Sequence, residues 1–223
     1  RNIAIGFQAL KTQDAGANAF NTAVGYKAGT VITTGIKNIL VGGNAGLALT
    51  DADFNVGVGH SALATDTQGS KSTAIGFQSL TTQNFSTATD SHNTAVGYNS
   101  GLNVTTGVQN TLIGGLSGDA MTAGGTNTAV GYLSLSSETD GVRSTAVGHS
   151  ALATQNLAGG YQAYNVAVGY NAGTAITTGL QNTLIGSLAG DVLSDADYNV
   201  AVGYGSLSAD TQGSLSTAIG KSA

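Results

Sequence analysis

The chain has 223 residues, among them 34 Gly, 8 Tyr and 5 Phe, with no Pro, Cys or Trp and only 9% charged residues. Ordinary soluble domains carry roughly 25% charged residues and about 7% Gly, so charge is depleted here and Gly doubled. The missing Cys exclude a disulfide scaffold and a zinc ribbon, the net charge of −5 has the wrong sign for a nucleic-acid partner, and no apolar run approaches the ~18 residues needed for membrane insertion as a helix.

Arg1 stands directly before a nine-residue phrase that begins at Asn2 and returns at Asn21, Asn38, Asn55, Ser72, Asn93, Asn110, Asn127, Ser144, Asn165, Asn182, Asn199 and Ser216. A clear copy reads Asn21-Thr22-Ala23-Val24-Gly25-Tyr26-Lys27-Ala28-Gly29. From one start to the next the numbering advances by 17, except for 19 after Asn2 and 21 after Ser72 and Ser144, so the Ser copies mark a 72-residue super-repeat of four coils. Because the first residue sits against a repeat already under way, residues 1–223 are expected to be one repeat domain and a piece of a longer fibre protein.

Comparison of the copies within the chain assigns each position. The second is always β-branched (Ile3, Thr22, Ile39) and the fourth always Val or Ile, from Ile5 to Ile219; this period of two specifies a strand. The third is Ala in nine copies, Leu at Leu40, Leu112 and Leu184, and Gly at Gly57. The fifth is Gly in all thirteen, which requires a positive φ or a backbone approach too close for a Cβ. The ninth reads Leu10, Gly29, Gly46, Leu63, and then repeats that order. The segment after a short-coil phrase, such as Thr30 to Lys37, holds an apolar side chain near its middle (Ile32, Leu49, Val104, Met121) and is predicted to form a second short strand and a turn. Coils stacked ~4.8 Å apart would set like residues over like. The predicted fold is therefore all-β, a parallel β-solenoid of about thirteen 17-residue coils.

The 7 basic and 12 acidic residues avoid the first five positions of every copy. A strand with one wet face would have acquired a Lys or Glu in thirteen trials, so both faces are expected to be buried. The Thr/Val face is assigned to the inside of the coil, and the Asn-Ala-Gly face to contact with other copies of the chain. A homotrimer is the simplest closed arrangement that hides such a face along a rod.

The phrases Asn-Thr-Ala-Val-Gly-Tyr, Ser-Thr-Ala-Ile-Gly-Phe and Thr-Thr-Gly-x-Gln-Asn-Thr-Leu-Ile-Gly resemble the head repeats of YadA-like trimeric autotransporter adhesins. They are closer still to the related repeats, of the same length as these, in phage tail fibres and large surface proteins that often precede an intramolecular chaperone domain. The resemblance covers the whole chain and implies a left-handed parallel β-roll, three chains side by side, and attachment at an extracellular or virion surface. Adhesin heads of this type have shorter repeats, so function carries over only as a category, structural and adhesive. A phage tail fibre is the first expectation and a bacterial adhesin head the second, with a host-surface glycan or protein as partner. An ice-binding or matrix-forming solenoid is a separate, weaker alternative.

Motifs for chemistry are sparse. Gly57-Val58-Gly59-His60 matches a loose dinucleotide fingerprint, but no helix follows it. His60 and His149 take the sixth position, where other copies carry Tyr or Phe, and are read as stacked rings; with His92 they are the only His. Asp51 with Asp53, and Asp195 with Asp197, are read as solvated turns, since the middle super-repeat has Ala123 and Gly125 there. No Ser/His/Asp set recurs and Glu138 is the only Glu, so no enzyme, cofactor or metal site is expected, a polysaccharide-cleaving tailspike included. The eight Thr of the second position invite comparison with ice-binding ladders, but a Thr row sharing the core face is read as β-branched filling.

Three connecting segments are longer than the rest: 11–20, 81–92 and 153–164. All follow the first coil of a super-repeat and are expected to project from one edge of the rod, where insertions in solenoids collect. Gln13, Asp14, Gln83, Asn84, Phe85, Gln155, Asn156 and Tyr161 offer amides beside rings and are the candidate surface contacts, with Phe20, His92 and Tyr164 expected to tuck back and seal each loop.

Overall fold

In the computed structural model, which describes residues 1–16 and 18–223, thirteen three-residue strands from Ile3–Ile5 to Thr217–Ile219 form one parallel sheet, one strand per phrase. Sheet order follows chain order, and the register sets position over position: Ile3 pairs with Thr22, Ala4 with Ala23 and Ile5 with Val24. The described residues contain no helix, and the all-β parallel solenoid, one coil to each repeat of the phrase, stands as read.

Two expectations are corrected. Among the described residues the return segments are turns, and only Gly69–Ser70 and Thr89–Asp90 pair there as strands. Left-handed corners bound each return, at the seventh and ninth positions and at the residue before the next phrase, as at Lys27 (φ 54°), Leu10 (φ 48°) and Lys37 (φ 58°), and confine any pairing there to the short run between them. Neighbouring coils still bond through the return, with Thr33 N–H donating to the Thr50 carbonyl at 2.9 Å and Thr50 N–H to that of Thr67 at 3.0 Å.

The second correction concerns the faces. Ala23, Leu40, Ala95 and Ala167 at the third position are completely buried within the single chain, whereas Ile39, Ile113 and Ile185 remain 45%, 39% and 41% exposed. The Asn-Ala side therefore lines the inside of the coil and the Thr/Val side looks out. A coil this short has a narrow interior, and it is filled by small strand residues together with Leu from the corner and an apolar side chain from the return. Bulk is traded between them: Leu40, Leu112 and Leu184 occur where the ninth position is Gly46, Gly118 and Gly190, and a Cβ on Gly46 would come within 2.7 Å of Leu40 Cδ2.

The fifth-position Gly meets both requirements that its invariance implied. Its φ lies between +128° and +143° in every coil, and a Cβ on Gly25 would approach the Gly42 carbonyl oxygen to 2.4 Å. The first-position Asn ties the coil across its interior. Asn38 Nδ2 donates to its own coil's return at the Ala52 carbonyl (2.8 Å), while its Oδ1 accepts from the next coil's Asn55 N–H (2.9 Å). With these buried amides paired on both sides, the rung repeats at Asn55, Asn110, Asn127, Asn182 and Asn199.

Candidate functional site

The outward sheet face runs across all thirteen strands. It carries two parallel rows, the second position with Thr22, Thr73, Thr94, Thr111, Thr128, Thr145, Thr183 and Thr217 among Val and Ile, and the fourth with Val or Ile throughout. No charge interrupts either row over thirteen strands. A third row borders it just past the fifth-position Gly. Phe7 stacks on Tyr26, His60 on Phe77 and Phe77 on Tyr98, and the Tyr132, His149 and Tyr170 rings follow one another, with centroids 5.3–5.6 Å apart. The reading of His60 and His149 as rings within an aromatic stack holds. On the opposite border Arg1 lies over Phe20, Lys37 over Phe54 and Arg143 over Tyr164.

The long segments separate into anchored and exposed parts. Gln83, Gln155 and Phe85 are buried, so none of the three is a surface contact. Their partners explain why. Asp66, completely buried, accepts from the N–H of Gly69 and of Phe85 and from the Gln83 amide. Glu138, equally buried, accepts from Gly141 N–H (2.7 Å), Leu157 N–H (3.1 Å) and Gln155 Nε2 (2.8 Å). Each Gln extends the chain to the Ser that replaces Asn in its coil, Ser72 or Ser144, and accepts from the next Asn, Asn93 or Asn165. An acid followed one coil later by Gln thus pins the base of a longer loop. Composition hid these carboxylates, but their place was readable: Asp66 and Glu138 occupy the twelfth position, where other coils put Ile32, Leu49, Val104 or Met121.

Asp14, Asn84, Asn156 and Tyr161 are exposed, and Gln13 is half-buried, donating to the Thr33 carbonyl at 2.9 Å. Phe20, His92 and Tyr164 do not tuck back; all three are exposed, because the left-handed backbone before each phrase turns its side chain outward. In the third long segment Asn156 and Tyr161 come together, lining a cleft of ≈ 360 Å³ with Leu157, Ala158, Thr178 and Leu180. Its walls are neutral and mostly apolar, with an amide and a phenol among them.

Asp53 and Asp197 behave as the turn reading requires, each accepting a backbone N–H from the preceding coil, Ile36 at 2.8 Å and Leu180 at 2.7 Å. Among the described residues no three His, Cys, Asp or Glu side chains converge on a point that could hold a metal. No helix among them is long and apolar enough to cross a membrane. No family model, curated protein or solved structure matches the chain.

Proposed function

We propose that this chain is a structural and adhesive segment of a homotrimeric extracellular fibre, of the kind formed by phage tail-fibre β-rolls and, as the nearer alternative, YadA-like adhesin heads. In this reading the coils are left-handed, the four-coil super-repeat is the building unit, and the fibre stands on a virion or cell surface. The observation that carries it is the outward face: aligned rows of β-branched side chains, without charge, remaining open along the full length of a single chain. A large exposed apolar patch on a soluble protein marks an interaction surface, and three copies packed about an axis cover it along its whole length. The inward turn of the Asn-Ala face moves the contact from that side of the strand to the other and leaves the argument from missing charge intact. The exposed loop residues Asp14, Asn84, Asn156 and Tyr161 would then face away from the axis, toward a host glycan or protein.

The eight outward Thr support a second reading, a regular flat face for binding ice, since they look out from the sheet, half-buried except for the exposed Thr217, and do not fill the core. One pair of measurements separates the two. Sedimentation equilibrium of the purified chain is expected to give three times the chain mass with no effect on ice growth. A stable monomer overturns the trimer, and a monomer that shows thermal hysteresis establishes the second reading in its place.

A further inference from the structure

The aromatic row beside the sheet has three missing rungs. Between Tyr26 and His60 stands Gly43, between Tyr98 and Tyr132 stands Gly115, and between Tyr170 and Tyr204 stands Ser187. At each gap one ring has lost its stacking neighbour on its C-terminal side and another on its N-terminal side. Tyr98, Tyr132, Tyr170 and Tyr204 are 50–58% exposed, against 43% for Phe77, which has a ring on both sides, so the rings beside the gaps show the larger surface. The walls are two coil steps apart, ~9.6 Å at the usual strand spacing, which admits one ring between them and not two. Backbone strain does not explain the small residues, since neither Gly115 nor Ser187 has a positive φ and a Cβ on Gly115 would find its nearest neighbour in Tyr132 Cδ2 at 3.4 Å, an ordinary contact.

We infer that the gaps at Gly115 and Ser187 are binding slots, each taking one neutral hexopyranose ring of a glycan between two tyrosine faces. A sugar's C–H face stacks on an aromatic face, and these slots offer two, with a phenol hydroxyl on each wall to answer the sugar's hydroxyls. Charge argues against an ionic ligand, since positions six and seven around both gaps hold only Tyr98, Asn99, Tyr132, Tyr170, Asn171 and Tyr204 besides Gly, Ser and Leu. The first gap differs because Lys27 Nζ lies 5.3 Å from the Tyr26 ring centroid and competes for it. The equivalent slots recur every four coils, ~19 Å apart, so a long glycan could engage more than one. The choice of a glycan rests on the attachment reading above; the slots themselves rest on the row.

The test uses the whole purified chain in its native assembly. Maltohexaose, cellohexaose and chitotetraose serve as neutral probes and N-acetyltyrosinamide as an aromatic one, read by saturation-transfer NMR and by tyrosine emission, which no Trp obscures. At least one oligosaccharide is expected to bind, with transfer strongest at its ring C–H protons. The Gly115→Tyr, Ser187→Tyr double variant completes the stack with the residue other coils carry, keeps its melting temperature or raises it, and is expected to lose binding at least tenfold. A Tyr98→Ala, Tyr170→Ala variant, which removes one wall of each slot, is expected to lose it as well. Binding of none of the three glycans, undiminished binding by the filled variant, or binding of the aromatic probe alone each overturns the slots. If the chain still attaches to a host surface while no glycan binds, the slots fall and the attachment reading stands.

Discussion

Asp119 follows the ninth-position Gly118, at the place where Thr30 follows Gly29 in an earlier coil. The Thr30 hydroxyl donates to the carbonyls of Gln8 (3.2 Å) and Lys27 (2.9 Å). A carboxylate can only accept, and Asp119 Oδ1 has no partner. Burial raises its pKa above the ordinary carboxylate value, opposed by its own backbone N–H. A raised folded-state pKa means that the ionised form costs stability at neutral pH, and that the cost fades as pH falls and the carboxyl takes a proton. Asp119→Thr is therefore expected to stabilise the chain by about 1 kcal/mol at pH 7, with a gain that shrinks in acid. Urea melts at pH 7 and pH 4 check it; a gain that grows toward acid contradicts the assignment. Asp140 has the opposite sign: its bond from Thr122 lowers its pKa, so its contribution is present above the ordinary carboxylate range and lost as pH falls.

At the scale of the coil, the buried acid and the loop it anchors form one unit. Glu138→Ala would leave the N–H groups of Gly141 and Leu157 and the Gln155 amide without their acceptor, at a cost of about 3 kcal/mol. The loss should be local first: limited proteolysis is expected to cut within 153–164 before any other segment, with the sheet intact. Cleavage distributed along the rod, or a loss below about 1 kcal/mol, would mean that Glu138 anchors nothing.

The strand, its register and the Gly ladder were readable because they rest on spacing, and spacing survives folding unchanged. The choice of inner face was not. Alternation names two faces without saying which is inside, and the usual preference for burying the bulkier apolar side fails when the coil is too narrow to hold Val and Thr beside Leu63 or Ile32. The loop residues failed for a related reason: Gln83 and Gln155 look like surface residues by type and Phe85 by its place in a long loop, but the twelfth-position register places Gln83 and Gln155 across from a buried acid, and Phe85 donates its N–H to the acid that Gln83 meets. The missing rungs can be read from the sixth position of the copies, whereas the outward sheet face and the cleft at Tyr161 emerge only once the faces are known.

Across the whole molecule, each coil touches only its neighbours, so what matters at any junction is whether the two coils that meet were made for each other. Asp66 needs a Gln in the coil that follows it, and Gln83 and Gln155 are equivalent suppliers. Deleting Thr73–Ser144 removes four coils, joins Ser72 to Thr145 and presents Gln155 to Asp66. That shortened chain is expected to melt within a few degrees of the parent. Deleting Thr73–Asn93, which joins Ser72 to Thr94 and takes out one coil, presents Val104 to Asp66 in place of Gln83 and is expected to melt well below it. Calorimetry on the pair checks both outcomes, and equal melting temperatures would show that the polar pairs impose no matching rule. The buried acid and its amide then act as a splice mark: an exchange that parts an acid from the Gln of the next coil is penalised, while one that moves the two together is not, so solenoids of this kind should differ in length at junctions outside these pairs and not within them.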